Sequence, residues 1–196
     1  MNSNVFLHET KISEKDKSEL IKQQGIVIWF TGLSGAGKST LAAEFEKYLY
    51  KKRKLTCLLD GDNIRFGLNR NLGFSEDDRT ENIRRIAEVA KLFADNAVIT
   101  LVSFISPKIA MRENARKIIG AERFYEIFVD ASIEKCAARD VKGLYKKAMN
   151  GTVKNFTGIT AEYEKPENPF AVISTDNDDI EESLSELIKY FEDFGF

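Results

Sequence analysis

The segment Gly32-Leu33-Ser34-Gly35-Ala36-Gly37-Lys38-Ser39, followed by Thr40, constrains this chain more than any other stretch. It matches GxxxxGK[ST] in full. It lies between an apolar run of strand length, Ile26-Val27-Ile28-Trp29-Phe30-Thr31, and a segment that places Leu41, Ala42, Phe45, Tyr48 and Leu49 at helical spacing. Strand, glycine-rich turn and helix in that order are the setting of a phosphate-binding loop (P-loop). Glycines let the backbone curl until its N–H groups and the helix N-terminus face phosphate oxygens. Lys38 is then expected against the β- and γ-phosphates of a nucleoside triphosphate, with the Ser39 hydroxyl on Mg²⁺. The competing reading, a glycine-rich turn with a chance lysine, does not account for all eight positions in their required setting.

The rest of the chain repeats the alternation. Apolar runs at 55–59, 97–104, 124–129 and 171–174 are separated by helical patterns at 80–94, 107–119 and 180–191, which predicts βαβ units and a parallel sheet. The expected fold is α/β, a three-layer P-loop kinase fold with a mostly parallel sheet flanked by helices. Pro107 suits a first helical turn and Ser132 a helix cap. Residues 1–24 are polar and read as an arm, and residues 25–196 as the P-loop kinase domain; one core suffices for 196 residues. Gly143 and Gly151 punctuate a lysine-rich stretch of weak periodicity, so about 132–169 is a candidate lid.

Charge narrows the ligand. A formal net charge of −2 gives no global field for a nucleic acid polymer, yet Arg65, Arg70, Arg79, Arg84 and Arg85 crowd one short segment, which suits a small anion. Arg84 and Arg85 fit a solvated helix face equally well. Cys57 and Cys136 sit in apolar surroundings and read as buried thiols. The single histidine, His8, lies in the polar arm, so no Cys/His metal site is expected. No run approaches the ~20 apolar residues of a membrane helix, so no membrane association is expected and the cytoplasm is the default location.

A P-loop does not by itself name a reaction. In an open parallel sheet ligands gather at the carboxyl ends of strands, which here carry the P-loop, Asp60-Gly61-Asp62-Asn63-Ile64-Arg65, Ile105-Ser106-Pro107 and Asp130. Asp62 can orient an attacking hydroxyl, accept its proton or hold a metal-bound water; a plain turn residue is the alternative. Ser106 can cap a helix, bind substrate or accept a phosphoryl group, with no base beside it in sequence. Phe74 and Phe156, in polar segments, can stack on a nucleobase or anchor loops in the core. No Asn-Lys-x-Asp segment supports a guanine nucleotide.

With these motifs assembled, and with Phe66-Gly67-Leu68-Asn69, Leu72-Gly73-Phe74, Asp78-Arg79-Thr80-Glu81-Asn82-Ile83-Arg84-Arg85, Lys142-Gly143-Leu144-Tyr145-Lys146-Lys147-Ala148 and Asn155-Phe156-Thr157-Gly158-Ile159 beside them, the sequence resembles the adenylyl-sulfate kinases from about residue 25 onward. The resemblance implies transfer of the ATP γ-phosphate to the ribose 3′-hydroxyl of adenylyl sulfate for sulfate assimilation, with ATP and Mg²⁺ required, a lid and a homodimer. It implies catalytic roles for Lys38, Asp62 and Ser106, the last matching a serine treated in that family as a phosphorylated intermediate, although direct in-line transfer is the simpler chemistry. Arg65, Arg79 and Asn82 would contact the sulfate–phosphate portion or ribose. Phe74 and Phe156 would sandwich the adenine, and Asp62, Ile105, Ser106, Lys142 and Leu144 would complete the acceptor site. A separate sulfate-adenylylating enzyme would supply the substrate. After Ser106-Pro107 the family commonly has an aromatic residue and an arginine; this chain has Lys108 and Ile109, leaving Arg112 as the next arginine available for an anion. The rival readings are a kinase of the same fold acting on another nucleotide anhydride, and a non-catalytic ATP-binding switch.

Overall fold

The central strand, β1 (Val27–Thr31), is buried at every position in the computed structural model, which describes residues 6, 8, 10–140, 142–153, 155–177 and 179–195. Its side chains alternate between two cores: Ile28 and Phe30 enter one, Val27 and Trp29 the other. A strand with no wet face reads as a continuous apolar run instead of an alternating one, which is why 26–31 looked as it did in sequence. Around it lie β2 (Thr56–Asp60), β3 (Ile99–Ser103), β4 (Phe124–Asp130) and β5 (Ala171–Ser174), in the order β2-β3-β1-β4-β5 with every pairing parallel.

Parallel neighbours need crossovers, and helices supply them. In chain order these are α1 (Glu14–Ile21), α2 (Lys38–Lys51), α3 (Gly61–Phe66), α4 (Glu76–Ala94), α5 (Ile109–Ile119), α6 (Ile133–Arg139), α7 (Leu144–Met149) and α8 (Ile180–Tyr190). α2 and α8 cover one face through Leu41, Phe45, Leu49 and Leu187. α4 and α5 cover the other through Ile83, Ile86, Ala90, Met111, Ala115 and Ile119. Because β3 and β4 flank β1 on opposite sides, the carboxyl end of β1 is the switch point of the sheet, where a crevice opens.

Several local expectations change. Asp60 closes β2 not with a turn but by capping α3, its side chain accepting from the Asp62 N–H. α4 begins four residues before 80, because Ser75 caps it by accepting from the Asp78 N–H and three acidic residues fill its first turn. Pro107 stays outside α5, which starts at Ile109. Ser132 does cap α6. Cys136 is buried, but Cys57, on the edge strand β2, is only partly so. Within the arm, Ser13 and Asp16 form a reciprocal capping box that starts α1, and Glu14 pairs with Arg123 at 3.0 Å. Among the described residues no helix is long and apolar enough to cross a membrane.

Candidate active site

The loop between β1 and α2 has a backbone only glycine permits at its ends. Gly32 sits at φ 149°, where a Cβ would lie 2.4 Å from the Val129 carbonyl oxygen, and Gly37 caps α2 at φ 92°. Lys38 folds back into this loop and its Nζ donates to the Leu33 carbonyl at 2.6 Å. Burial pushes its ammonium down to about 8 from 10.5, only partly countered by nearby negative groups including Asp60. Ser39 Oγ donates to Asp60 Oδ2 at 2.6 Å and lies 3.1 Å from Ser103 Oγ. A hydroxyl and a carboxylate from two strand ends therefore meet at the first turn of α2, an oxygen set that fits a hard cation such as Mg²⁺.

The loop opens on a cavity of about 530 Å³. One wall is the predicted set: Ser34, Gly35, Gly37, Lys38, Ser39, Thr40, Asp60 and Asp62. The other comes from residues that the sequence reading did not single out: Arg139 and Asp140 at the end of α6, Thr175 after β5, and Asp179, Ile180 and Ser183 at the start of α8. Arg139 donates to the Gly35 carbonyl at 3.1 Å and to that of Thr175; the Thr175 hydroxyl donates to the Ala36 carbonyl at 2.8 Å. Tyr145, buried on α7, donates to the Ser34 carbonyl at 2.8 Å. β5 is a fifth strand end on the same edge of the sheet; applying the strand-end rule to it would have found Thr175.

Asp62 and Lys142 line the same cavity and pair with each other across it, both largely exposed. Leu144 lines it too, at the start of α7. One turn along α3 from Asp62, the Arg65 guanidinium stacks 4.5 Å from the centre of the Phe74 ring, and Arg79 on α4 lies 6.0 Å from that centre. Burial, and for Arg65 the charge of Arg79, lowers the pKa of the first; burial lowers that of the second. Two guanidinium groups beside one exposed ring combine positive charge with a flat apolar face. Arg79 also donates to the Asn155 carbonyl at 2.6 Å and to Thr157 Oγ1 at 3.0 Å, gripping both neighbours of Phe156.

Other predicted residues sit differently. Phe156 is buried edge-on against Tyr145 at 4.9 Å, the core-anchoring alternative, while Phe74 is exposed. Asn82 is buried, its Oδ1 accepting from Asn69 at 2.9 Å. The Ile105 carbonyl accepts from Thr31 Oγ1 at 2.7 Å. Ser106 is buried and caps no helix: its hydroxyl accepts from Trp29 Nε1 at 3.0 Å and donates to Thr31 Oγ1 at 3.1 Å. Asp130 does not join the cavity; it pairs with Lys165 at 3.2 Å and faces a second hollow with Ser132 and Asp176. Arg112 is not free to hold an anion either, being buried against Glu126 at 2.6 Å, and Lys108 pairs with Glu162 and Glu164 at 2.9 and 3.0 Å.

Comparison with known proteins identifies the family. The family model described as "Adenylylsulphate kinase" matches residues 24–174. An adenylyl-sulfate kinase of Clostridium acetobutylicum is 54% identical over 189 residues, covering 96% of this chain and 94% of that one. The Mycobacterium tuberculosis APS kinase, solved in complex with AMPPNP and APS, is 44% identical with a TM-score of 0.82, over 87% of this chain and 99% of that one. A hexameric APS kinase from Thiobacillus denitrificans is 32% identical with a TM-score of 0.66, over 88% of this chain and 30% of that longer one.

Proposed function

This chain belongs to the adenylyl-sulfate kinase family, and from that premise we propose how its residues divide the reaction. It is an ATP-dependent kinase, and adenylyl sulfate is its acceptor. The loop of residues 32–40 holds the triphosphate, with the base of ATP between Arg139, Thr175 and Ile180 in the 530 Å³ cavity. Lys38 exchanges its contact with the Leu33 carbonyl for the β- and γ-phosphates, whose anionic oxygens offset the burial that lowers its pKa. Ser39, with Asp60 behind it, is the residue that would hold Mg²⁺, an ion that neutralises charge on the transferring phosphoryl group when bound.

Adenylyl sulfate enters opposite, its anhydride between Arg65 and Arg79 and its adenine on Phe74; Asn82, Ile105, Ser106, Lys142 and Leu144 border it, and Phe156, packed on Tyr145, anchors the segment beside Arg79. Asp62 leaves Lys142 to orient the ribose 3′-hydroxyl. A bond forms between that oxygen and the γ-phosphorus, the bond to the β–γ bridging oxygen breaks, ADP leaves with the electron pair, and Asp62 takes the proton. Burial of Ser106 away from any carboxylate or imidazole partner supports direct transfer over a phosphoserine intermediate.

The observation that supports this reading is α3, which sets Asp62 in the cavity of the P-loop and its buried lysine and, one turn on, Arg65 against Phe74 beside Arg79. Its test is ADP release by purified protein against a panel of nucleotides. Adenylyl sulfate should exceed AMP, ADP and other anhydrides by at least about 100-fold in kcat/KM. Release independent of acceptor would favour a different role. The same reading carries a homodimer, checked by light scattering as two chains per particle, and a separate enzyme of the sulfate-adenylylating class upstream.

A further inference from the structure

Arg112 is a buried charge that the reaction scheme leaves unused. It lies on α5, is 2% exposed, and its guanidinium donates to two backbone carbonyls and forms an ion pair with one carboxylate. Nε faces Glu126 Oε1 at 2.6 Å, Nη1 donates to the Ser106 carbonyl at 2.7 Å, and Nη2 donates to the Glu164 carbonyl at 2.8 Å. Glu126, on β4, is itself 7% exposed. Stability alone does not explain such a pair, because apolar side chains of similar volume commonly do as well in a core.

The backbone of Ser106 supplies the reason. It stands at φ 39°, a left-handed conformation that a residue with a Cβ keeps only where its surroundings hold it. Its hydroxyl is held by Trp29 and Thr31; its carbonyl is held by Arg112. The same guanidinium fastens Glu164, whose N–H donates to the Pro107 carbonyl at 2.8 Å and whose carboxylate accepts from the Ile109 N–H at 2.7 Å. The turn that ends β3 and the segment returning from α7 are therefore pinned at one point.

We propose that Arg112, backed by Glu126, is a positioning residue for the acceptor: it locks the turn at Ile105 and Ser106 so that the end of β3 meets adenylyl sulfate in a fixed shape. A planar group with donors on three nitrogens is required, since the single nitrogen of a lysine does not span the same three acceptors. The inference rests on the acceptor reading given above, and the experiment separates the two.

Steady-state kinetics of the full chain would be measured with adenylyl sulfate and ATP varied in turn, alongside thermal melts, for the unaltered protein, Arg112→Lys and the double variant Arg112→Met/Glu126→Leu. Absence of turnover by the unaltered protein with adenylyl sulfate refutes the acceptor reading, whatever the variants do. Given turnover, the double variant should melt within a few degrees of the unaltered protein, raise KM for adenylyl sulfate about tenfold or more, and leave KM for ATP within about twofold. Arg112→Lys should show the same split at about three- to tenfold. A folded variant with acceptor KM unchanged, or with both KM values rising together, overturns the proposal. If the double variant does not fold, Arg112→Lys decides by the same criteria; if neither folds, Arg112 is structural and the proposal fails.

Discussion

Lys38 shows how a single residue trades stability for function. Its folded pKa of about 8 against 10.5 unfolded corresponds to a burial penalty on the order of 3 kcal/mol, partly offset by its bond to the Leu33 carbonyl. The penalty is complete below pH 8, where both states are protonated, and fades as pH rises toward 10.5. Stability without nucleotide should therefore increase between pH 8 and 10.5 insofar as Lys38 controls it, and denaturant titrations across that window, compared with Lys38→Met, check the slope. At pH 7 Lys38→Met should melt at least about 2 °C higher than the unaltered protein in the absence of ATP. The same variant should lose at least about 100-fold in kcat. Since the phosphates need the charged form, KM for ATP should climb above pH 8. The P-loop was legible in sequence because its requirement is local: glycines at fixed spacing before a lysine. The fates of Ser106 and Arg112 were not legible, because they depend on Trp29, Thr31 and Glu126, which come from other strands.

At the scale of elements, each strand was visible as an apolar run, and the ends were misplaced where capping or pairing decided them. Ser75 is the clearest case. It lies before the helical pattern at 80–94, yet its side chain starts α4 one turn before Arg79 and fixes the helix end that carries that arginine. Ser75→Ala should cost about 1 kcal/mol of stability, a drop of roughly 2–4 °C, while Ser75→Asp should keep most of it. Thermal melts of the two variants distinguish a cap from a mere loop residue. Phe156 belongs to the same scale. From composition it was as fit for a base as for a core, and packing against Tyr145, a contact between α7 and the loop after it, places it in the core here. That contact was invisible because the stretch of residues 142–158 has little periodicity.

Across the whole molecule, the strand order puts the switch point at β1, and Lys142, Leu144 and Tyr145, in the segment containing α7, line the cavity that opens there. Among the described residues that segment is tied by Lys142 to Asp62, by Asn155 and Thr157 to Arg79, and on its return by Glu162 to Lys108 and by Glu164 to Arg112 and Ile109. An exposed pair such as Lys142 with Asp62 contributes only about 0–1 kcal/mol to stability. Lys142→Ala should leave the melting temperature within about 2 °C and still reduce kcat/KM for adenylyl sulfate about tenfold or more, a split that kinetics and melts on one preparation would establish. The alternation of strands and helices made the layered α/β arrangement legible and Gly143 and Gly151 marked a candidate lid, whereas the pairs that hold that segment were not legible, since they join side chains far apart in sequence. The most direct test is a crystal structure with a non-hydrolysable ATP analogue, Mg²⁺ and adenylyl sulfate bound together. The account predicts Ser39 on the metal, Arg65 and Arg79 on the acceptor's anhydride, and Asp62, parted from Lys142, within hydrogen-bonding reach of the 3′-hydroxyl. Arginines turned away from the acceptor, or Asp62 still paired with Lys142 while the 3′-hydroxyl lies elsewhere, would contradict it.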